Sequence, residues 1–413
     1  MAIIKAFQGV RPAADKIKEI ASRPYDVLNS AEARVEVEGN PNSFLHVVKP
    51  EVDLPADINL YDESVYQKGR ENLYGMIERN VLVQDEKPSL YIYQQIMGDV
   101  NQIGLVAGTS IEDYENDIIK KHEHTRATKE ADRIKHVDTL NANTGPVFLT
   151  YPAREDINAI VAEEMQSTPV YDFTAEDGIK HIFWVVSDED KIEKLTAIFT
   201  EIPFLYVADG HHRSASGTKV GQKRREANAN HNGTEEYNFF LSVIFPHNQL
   251  YIMDYNRVVK DMNGHTVKEY LNLVEENFEV TKIGATEYKP EAIHTFGMYI
   301  DGSWYKIEAK TGTFPEADPV KSLDVSILQE NLLTPILAIG NPRTDERIDF
   351  VGGIRGLKEL SNRVDAGEAV AFSMFATSIE QLMSIADAGE VMPPKSTWFE
   401  PKLRSGVITH LLA

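Results

Sequence analysis

The segment FLYVADGHHR, residues 204–213, joins an apolar run to a polar turn. Its first five residues are apolar and include two aromatic side chains, which predicts a buried strand. Gly210 ends this strand, and the small residues that follow, SASGTKV at 214–220, suit a helix packed closely against a sheet. The segment therefore predicts a strand, a tight turn and a helix start, with four polar side chains at the turn: Asp209, His211, His212 and Arg213.

This predicted turn has the chemistry of an anion site. The N–H groups and the positive dipole end at a helix start attract anions. Gly210 lets the backbone approach a ligand, and Arg213 can bind a phosphate through two hydrogen bonds. Asp209 cannot hold a phosphate but can hold Mg²⁺ or accept a proton. The alternative is a surface turn in which Asp209 caps a helix, but so many chemically capable side chains after a buried strand favour a site.

A family resemblance rests on this turn. VADGHHR, residues 207–213, resembles the signature of the ParB/sulfiredoxin-like superfamily, whose members contact nucleotide phosphates with a Gly-His-Arg-type turn. The double His and leading Asp are most similar to the free serine kinases of that superfamily. The whole chain also resembles a widespread prokaryotic family of unknown function, marked by RPYDV at 23–27 and MPPKST at 392–397. The resemblance implies an α/β to α+β fold, with a ParB/sulfiredoxin-like nucleotide-binding core, N-terminal additions and a C-terminal α+β region.

Two further segments occur in the order found in the serine kinases. The first is KKHEHTRATKEADR, residues 120–133, in which the resemblance implies that Glu123 is the general base. A solvated helix face is the alternative for such a charged run, and its two nearest histidines are too close together for a helical zinc pair. The second follows a stiff Pro-Pro pair that presents Lys395, Ser396 and Thr397 in a fixed direction. A lysine and two hydroxyls suit a phosphate or a carboxylate, although a plain surface turn is the alternative.

The three segments together imply a small-molecule phosphotransferase that uses ADP or ATP with Mg²⁺ and favours L-serine as acceptor. They imply catalytic roles for Glu123, Asp209 and His211, with Asp209 also the metal ligand. The implied nucleotide contacts are Gly210, His212, Arg213, Ser214, Lys395, Ser396 and Thr397. A second hypothesis is a ParB-like regulatory module in which bound nucleotide switches a protein interface without phosphotransfer. A metal-dependent hydrolase built on His211 and His212 ranks last, because the local spacing supplies too few ligands.

Composition excludes several other functions. The 413 residues carry a net charge of −22, whereas a reader of duplex DNA needs a basic surface, so we expect neither DNA binding nor a membrane-surface role. The absence of cysteine excludes disulfides and thiolate chemistry. No apolar run is long enough for a membrane span or a signal peptide. We therefore expect a cytoplasmic protein, and a homo-oligomer is compatible with the sequence.

The chain is long enough for two domains. A turn at 261–264 predicts a boundary, with the core at 1–262 and a second region at 263–413 that returns its C-terminus to the first. Apolar residues at 25–28 and 44–48 predict short strands near the N-terminus. The polar residues 222–236 predict an irregular loop after the helix that follows the turn.

Overall fold

A computed structural model describes residues 1–413 and contains both helices and strands throughout. The helices are α1 (Ile17–Ile20), α2 (Ser30–Glu36), α3 (Leu45–Val48), α4 (Glu63–Glu78), α5 (Ile111–Glu115), α6 (Ala127–Leu140), α7 (Glu155–Glu164), α8 (Glu189–Phe199), α9 (His211–Ala227), α10 (Val267–Asn277), α11 (Asp324–Leu328), α12 (Leu357–Asp365) and α13 (Ile379–Asp387). The strands are β1 (Ile4–Lys5), β2 (Val10–Pro12), β3 (Leu82–Gln84), β4 (Leu90–Met97), β5 (Val100–Ser110), β6 (Ile119–Lys120), β7 (Ala142–Asn143), β8 (Val147–Tyr151), β9 (Tyr171–Thr174), β10 (Lys180–Val186), β11 (Leu205–Asp209), β12 (Phe239–Pro246), β13 (Tyr251–Met253), β14 (Tyr255–Val259), β15 (Phe278–Gly284), β16 (Thr295–Ile300), β17 (Ser303–Ala309), β18 (Ile348–Gly352), β19 (Val370–Ser373), β20 (Trp398–Glu400) and β21 (His410–Leu411). None of the helices combines the length and apolarity that a bilayer span requires.

The chain divides into two compact units. The first contains Met1–Leu250 together with Pro401–Ala413, and the second contains Tyr251–Glu400. These bounds differ from the predicted 1–262 and 263–413, because β14 already pairs with β18 and β19 in the sheet of the second unit. The last residues belong to the first unit, where β21 pairs with β7.

A nine-stranded sheet forms the centre of the first unit. Its strand order is β6-β11-β8-β12-β5-β4-β10-β9, with β1 paired to β5 outside this path. The β6–β11 and β8–β12 pairs are parallel, whereas β11 is antiparallel to β8 and β12 is antiparallel to β5. The mixed sheet with helices around it confirms the predicted α/β class.

Helices pack against the sheet of the first unit through apolar or small residues. A buried apolar cluster joins Leu149 of the sheet to Ile157 of α7 and Leu195 of α8. The helix α9 contacts the sheet through small residues, because a Cβ atom on Gly217 would lie 3.0 Å from the Phe240 Cβ. This close approach agrees with the small residues predicted for a helix on a sheet.

Three local predictions are wrong. Tyr25–Val27 is a 3₁₀ helix and Leu45–Val48 is α3, although both had been predicted as strands. A short apolar run does not separate a strand from a buried helix by its periodicity, and α3 packs into a helical cluster with residues of α4. The predicted loop from 222 is helical as far as Ala227, because ion pairs of Arg224 with Asp138 (3.0 Å) and of Arg225 with Glu115 (2.9 Å) fix the last turn of α9.

The second unit is built on an antiparallel sheet. Its strand order is β15-β17-β16-β19-β14-β18, and a separate two-stranded pair joins β13 to β20. Val258, Trp304 and Leu360 belong to one buried cluster that packs α12 against this sheet. β14 lies between β19 and β18, so its side chains are placed in the interior of the sheet and not at an edge.

Candidate functional site

Parallel pairing of two short strands assembles the site in the first unit. Leu205 of β11 is registered with Ile119 of β6, and Tyr206 with Lys120. Both strands therefore end at the same edge of the sheet, and the residues that follow β6 come next to those that follow β11. This is why His122 contacts His211, with ring centroids 4.4 Å apart, although the two residues are far apart in sequence.

The turn after β11 has the predicted strand–turn–helix geometry. Gly210 has φ +97° and ψ 30°, a left-handed conformation that favours glycine, and α9 begins at His211. The amides of Arg213 and Ser214 both donate to the Gly210 carbonyl at 2.9 Å. Gly210 is the N-cap residue of this 17-residue helix and has no side chain that could cap it. The positive end of a long helix therefore lies beside Asp209.

Two cations compensate the charge of Asp209. Its Oδ2 lies 3.2 Å from the Lys402 Nζ and 3.5 Å from the Arg213 Nη2. Burial raises the pKa of Asp209, but Lys402 and Arg213 outweigh burial and hold it well below the usual range. The carboxyl is therefore ionised at neutral pH, and its side chain keeps 29% of its surface exposed.

Arg213 is held by three acceptors from separate segments. Its Nη1 donates to the Pro146 carbonyl, and its Nη2 lies 3.6 Å from Asp26 as well as 3.5 Å from Asp209. Its side chain is only 10% exposed, and the buried Nε has no hydrogen-bond partner. Burial lowers the pKa of Arg213, but the two carboxylates outweigh burial and raise it. A phosphate that binds Arg213 must compete with Asp26 and Asp209 for the guanidinium.

Two buried histidines line the inner side of the turn. The His211 Nε2 and the His122 Nδ1 are buried without a hydrogen-bond partner. Burial lowers the pKa of His122 to about 4 and that of His211 well below its ordinary value, and the proximity of the two rings contributes to His211. Both rings are therefore neutral at pH 7. The His211 Nδ1 lies 3.9 Å from the Glu123 Oε2, a distance longer than a direct hydrogen bond.

His212 and Ser214, both predicted as nucleotide contacts, make local structural bonds. The Nε2 of His212 accepts a hydrogen bond of 3.0 Å from the Arg126 amide, which ties the start of α6 to α9. The Ser214 hydroxyl is fully buried and donates to the His211 carbonyl at 3.1 Å. Their roles toward a nucleotide stay predictions.

Mg²⁺ was expected at Asp209. No group of three or more His, Cys, Asp or Glu side chains forms a metal cluster in the chain. Mg²⁺ does not require such a cage, because it commonly binds one or two carboxylates together with phosphate oxygens and water. Asp209 fits that role, since both of its cationic neighbours approach one oxygen, Oδ2, and its side chain is partly exposed.

The remaining predicted contacts lie in the second unit. Lys395 is exposed, has φ +59°, and places its Nζ 5.4 Å from the centre of the Tyr255 ring. Ser396 is buried, and its hydroxyl donates to the Pro393 carbonyl at 2.7 Å. Thr397 is partly exposed. The predicted convergence of Lys395 with Asp209 stays a prediction.

Three residues at the turn were not among the predicted site residues. They are Asp26, His122 and Lys402. Asp26 belongs to the RPYDV segment and His122 precedes Glu123, so both lay within segments already marked by the resemblance. Lys402 is 193 residues from its partner Asp209 and belongs to none of the motifs. The one sequence signal for it is that residues 401–413 contain no other lysine.

Comparison with known proteins gives one family and several solved structures. Residues 4–326 match the family described as Protein of unknown function (DUF1015). A search of curated proteins gives no match. Similar solved structures include a free serine kinase in complex with AMP (16% identity, 68% of this chain and 84% of that chain covered, TM-score 0.34), a mutant free serine kinase in complex with ADP (17%, 68% and 84%, 0.35) and SbnI with C-terminal truncation from Staphylococcus aureus (13%, 72% and 84%, 0.36). At these identities and TM-scores, none of them determines what this chain binds or does.

Proposed function

The chain belongs to the DUF1015 family, whose description gives no activity, and we propose from its own site that it is a nucleotide-dependent phosphotransferase acting on a small hydroxyl compound. L-serine is the favoured acceptor and ADP or ATP the phosphate donor. The proposal includes a ParB/sulfiredoxin-like core in the first unit, as the VADGHHR segment implies.

The observation that carries the proposal is the composition of the turn. One ionised carboxylate is surrounded by a helix start whose N-cap is a left-handed glycine, by two cations and by two neutral buried histidines. Phosphoryl transfer asks little covalent chemistry of a protein and depends on positioning and charge stabilisation. These groups supply donors and positive charge for phosphates in a small volume, beside a further carboxylate at Glu123.

In the proposed reaction, the turn binds the nucleotide phosphates. The amides of His211 and His212 at the start of α9 and the guanidinium of Arg213 donate to phosphate oxygens, and Lys402 compensates their charge. Asp209 would hold Mg²⁺ jointly with the phosphates, and the ion would neutralise phosphate charge. Lys395, Ser396 and Thr397 are proposed as further phosphate contacts from the second unit.

Glu123 is proposed as the general base. Its carboxylate takes the proton of the acceptor hydroxyl while the acceptor oxygen forms a bond to phosphorus. The bond between phosphorus and the leaving oxygen of the nucleotide breaks, and the positive groups of the turn stabilise that oxygen. His211 is proposed to orient this carboxylate: its neutral ring lies 3.9 Å from Glu123 and would have to approach to hydrogen-bond distance when the acceptor binds.

The test is phosphoserine formation from L-serine with ADP or ATP, compared between the wild type and Glu123→Gln. The amide keeps the size of the side chain but removes the proton acceptor, so the rate should fall by a factor of about 10² to 10⁴. Nucleotide affinity should change little, because Glu123 faces the acceptor in this mechanism.

The matched control is Glu176→Gln, since Glu176 is exposed between β9 and β10 at the opposite edge of the sheet from β11. Its activity should equal that of the wild type. A wild-type protein that binds nucleotide but phosphorylates no small hydroxyl compound would favour the regulatory module instead. An active Glu123→Gln variant would remove this residue from the mechanism.

A further inference from the structure

A cavity of about 150 Å³, partly open to solvent, lies in the second unit. Apolar walls dominate it, and the polar groups are few: its lining is Arg257, Val320, Val325, Ser326, Gln329, Glu330, Pro342, Ile348, Phe350, Pro393 and Pro394. β14 and β18 supply one wall, and α11 with the π-helix that follows it, Gln329–Leu333, supplies another. A volume of about 150 Å³ can hold a molecule as large as benzene, so it suits a small organic ligand.

Arg257 is a buried cation in the wall of this cavity. It is only 4% exposed on an interior strand, and its guanidinium lies over the Phe350 ring at 5.4 Å. Its two hydrogen bonds go to backbone carbonyls, those of Tyr255 and Lys395. They use two of its five N–H donors, and no carboxylate accepts from it. A buried charge without an ionic partner is costly, so its retention calls for a reason.

Asp324 is the acidic group whose charge acts on Arg257, but it compensates that charge poorly. Its Oδ1 accepts from the His294 amide at 2.8 Å, and its buried Oδ2 has no partner. Burial raises the pKa of Asp324 to about 7, even though the His294 amide and Arg257 oppose the rise. Its carboxyl therefore holds a proton more tightly than an ordinary aspartate does and is a weak counter-charge for Arg257. Burial also lowers the pKa of Arg257 to about 10, so the guanidinium stays charged.

We propose that this cavity is a binding site for a small carboxylic acid with a compact apolar body, whose carboxylate pairs with Arg257. Charge-assisted hydrogen bonds between a guanidinium and a carboxylate are roughly twice as strong as hydrogen bonds between neutral groups. Val320, Val325 and Ile348 would contact the apolar body. Glu330 also lines the cavity, but it is exposed and is not among the charges that act on Arg257.

The proposed binding site also includes residues of the MPPKST segment. Pro393 and Pro394 form part of the cavity wall, and Arg257 donates to the Lys395 carbonyl at 3.1 Å. A ligand bound to Arg257 therefore contacts the same segment that carries Lys395, and it should stabilise the conformation of that segment. The binding site itself does not depend on the proposed phosphotransferase activity.

The experiment measures binding of isobutyrate to the full chain by calorimetry at constant ionic strength, without nucleotide or L-serine. Isobutyramide has the same body without the charge, and inorganic phosphate has charge without the body. We expect isobutyrate to bind at least tenfold more tightly than either. Equal binding of isobutyramide, or tighter binding of phosphate, would overturn the proposal.

Two variants test the site from opposite sides. Arg257→Met removes the charge at similar length, and Val325→Phe fills the cavity while the arginine stays. Each should weaken isobutyrate binding at least tenfold, whereas the control Glu279→Gln should retain it, because Glu279 is exposed on β15, at the opposite edge of the sheet from β18. If Arg257→Met does not fold, Val325→Phe decides the question. Wild-type affinity in a folded Arg257→Met or Val325→Phe protein would show that isobutyrate binds elsewhere and would refute the site.

Discussion

Replacing Gly210 by alanine should affect nucleotide binding through Arg213 and not merely through folding. The backbone at Gly210 has φ +97°, and a left-handed conformation costs an L-residue about 1–2 kcal/mol. A Cβ atom placed there would lie 3.1 Å from the Arg213 Nε and 3.3 Å from its Cζ. The added methyl group therefore pushes the guanidinium away from its place over the turn.

A matched control separates the two effects. Gly178 is also left-handed, with φ +80°, but a Cβ there meets no atom within 4 Å. Gly178→Ala and Gly210→Ala should thus both lose about 1–2 kcal/mol of folding free energy. For a domain of about 150–250 residues each kilocalorie lowers the melting temperature by about 2–4 °C, so both losses can be seen by calorimetry.

ADP affinity then distinguishes the variants. Loss of one hydrogen bond to a charged group costs about 1.5–3 kcal/mol, which corresponds to a Kd that rises by a factor of roughly 10 to 150 in Gly210→Ala. Gly178→Ala should bind ADP like the wild type in the same titration. Unchanged affinity in Gly210→Ala would refute the placement of phosphates at this turn. An equal loss in both variants would trace the effect to folding alone.

Two further predictions concern charges. Asp26→Asn should tighten ADP binding by about 1.5- to 5-fold, because the partly exposed ion pair of Asp26 with Arg213 at 3.6 Å contributes about 0.2–1 kcal/mol. Calorimetric titration of this variant beside the control Asp57→Asn checks the prediction. Weaker ADP binding would mean that Asp26 positions Arg213 instead of competing for it. The pKa of Asp324 is raised from 3.8 to about 7, so the folded state holds this proton more tightly than the unfolded state does. The free energy of unfolding of the wild type should therefore fall as the pH rises from 3.8 to about 7. Asp324→Asn should flatten that fall, and urea midpoints at several pH values would show it; an unchanged slope would exclude Asp324 as its source.

The local elements near the turn could be predicted from the sequence because their signals are local. The apolar run at 204–208 and the small residues after Gly210 depend on neighbours in the chain, and both became the expected strand and helix. The failures were also local, but they lacked a deciding signal. The apolar residues of Leu45–Val48 satisfy a strand and a buried turn of helix equally well, and packing against α4 decided between them.

The partners of the turn could not be predicted, since they come from distant parts of the chain. Asp26 reaches Arg213 from the N-terminal segment, and Lys402 reaches Asp209 across 193 residues. A sequence motif identifies groups that can bind a phosphate, but it does not say which of them are already paired. The parallel register of β6 with β11, which brings His122 to His211, is likewise a property of the assembled sheet.

This pairing changes how a nucleotide would bind. A cationic pocket is costly to maintain when its buried cations have no acidic partners. In this chain, whose net charge is −22, Asp26 and Asp209 are the partners of Arg213. Phosphate binding would then exchange one anion for another at a guanidinium that is charged throughout. Such an exchange yields less affinity than filling an uncompensated site, but it keeps the turn folded while it is empty. Arg257 presents the opposite arrangement, a buried cation from which no carboxylate accepts a hydrogen bond, and we therefore expect a ligand to supply that charge in the second unit.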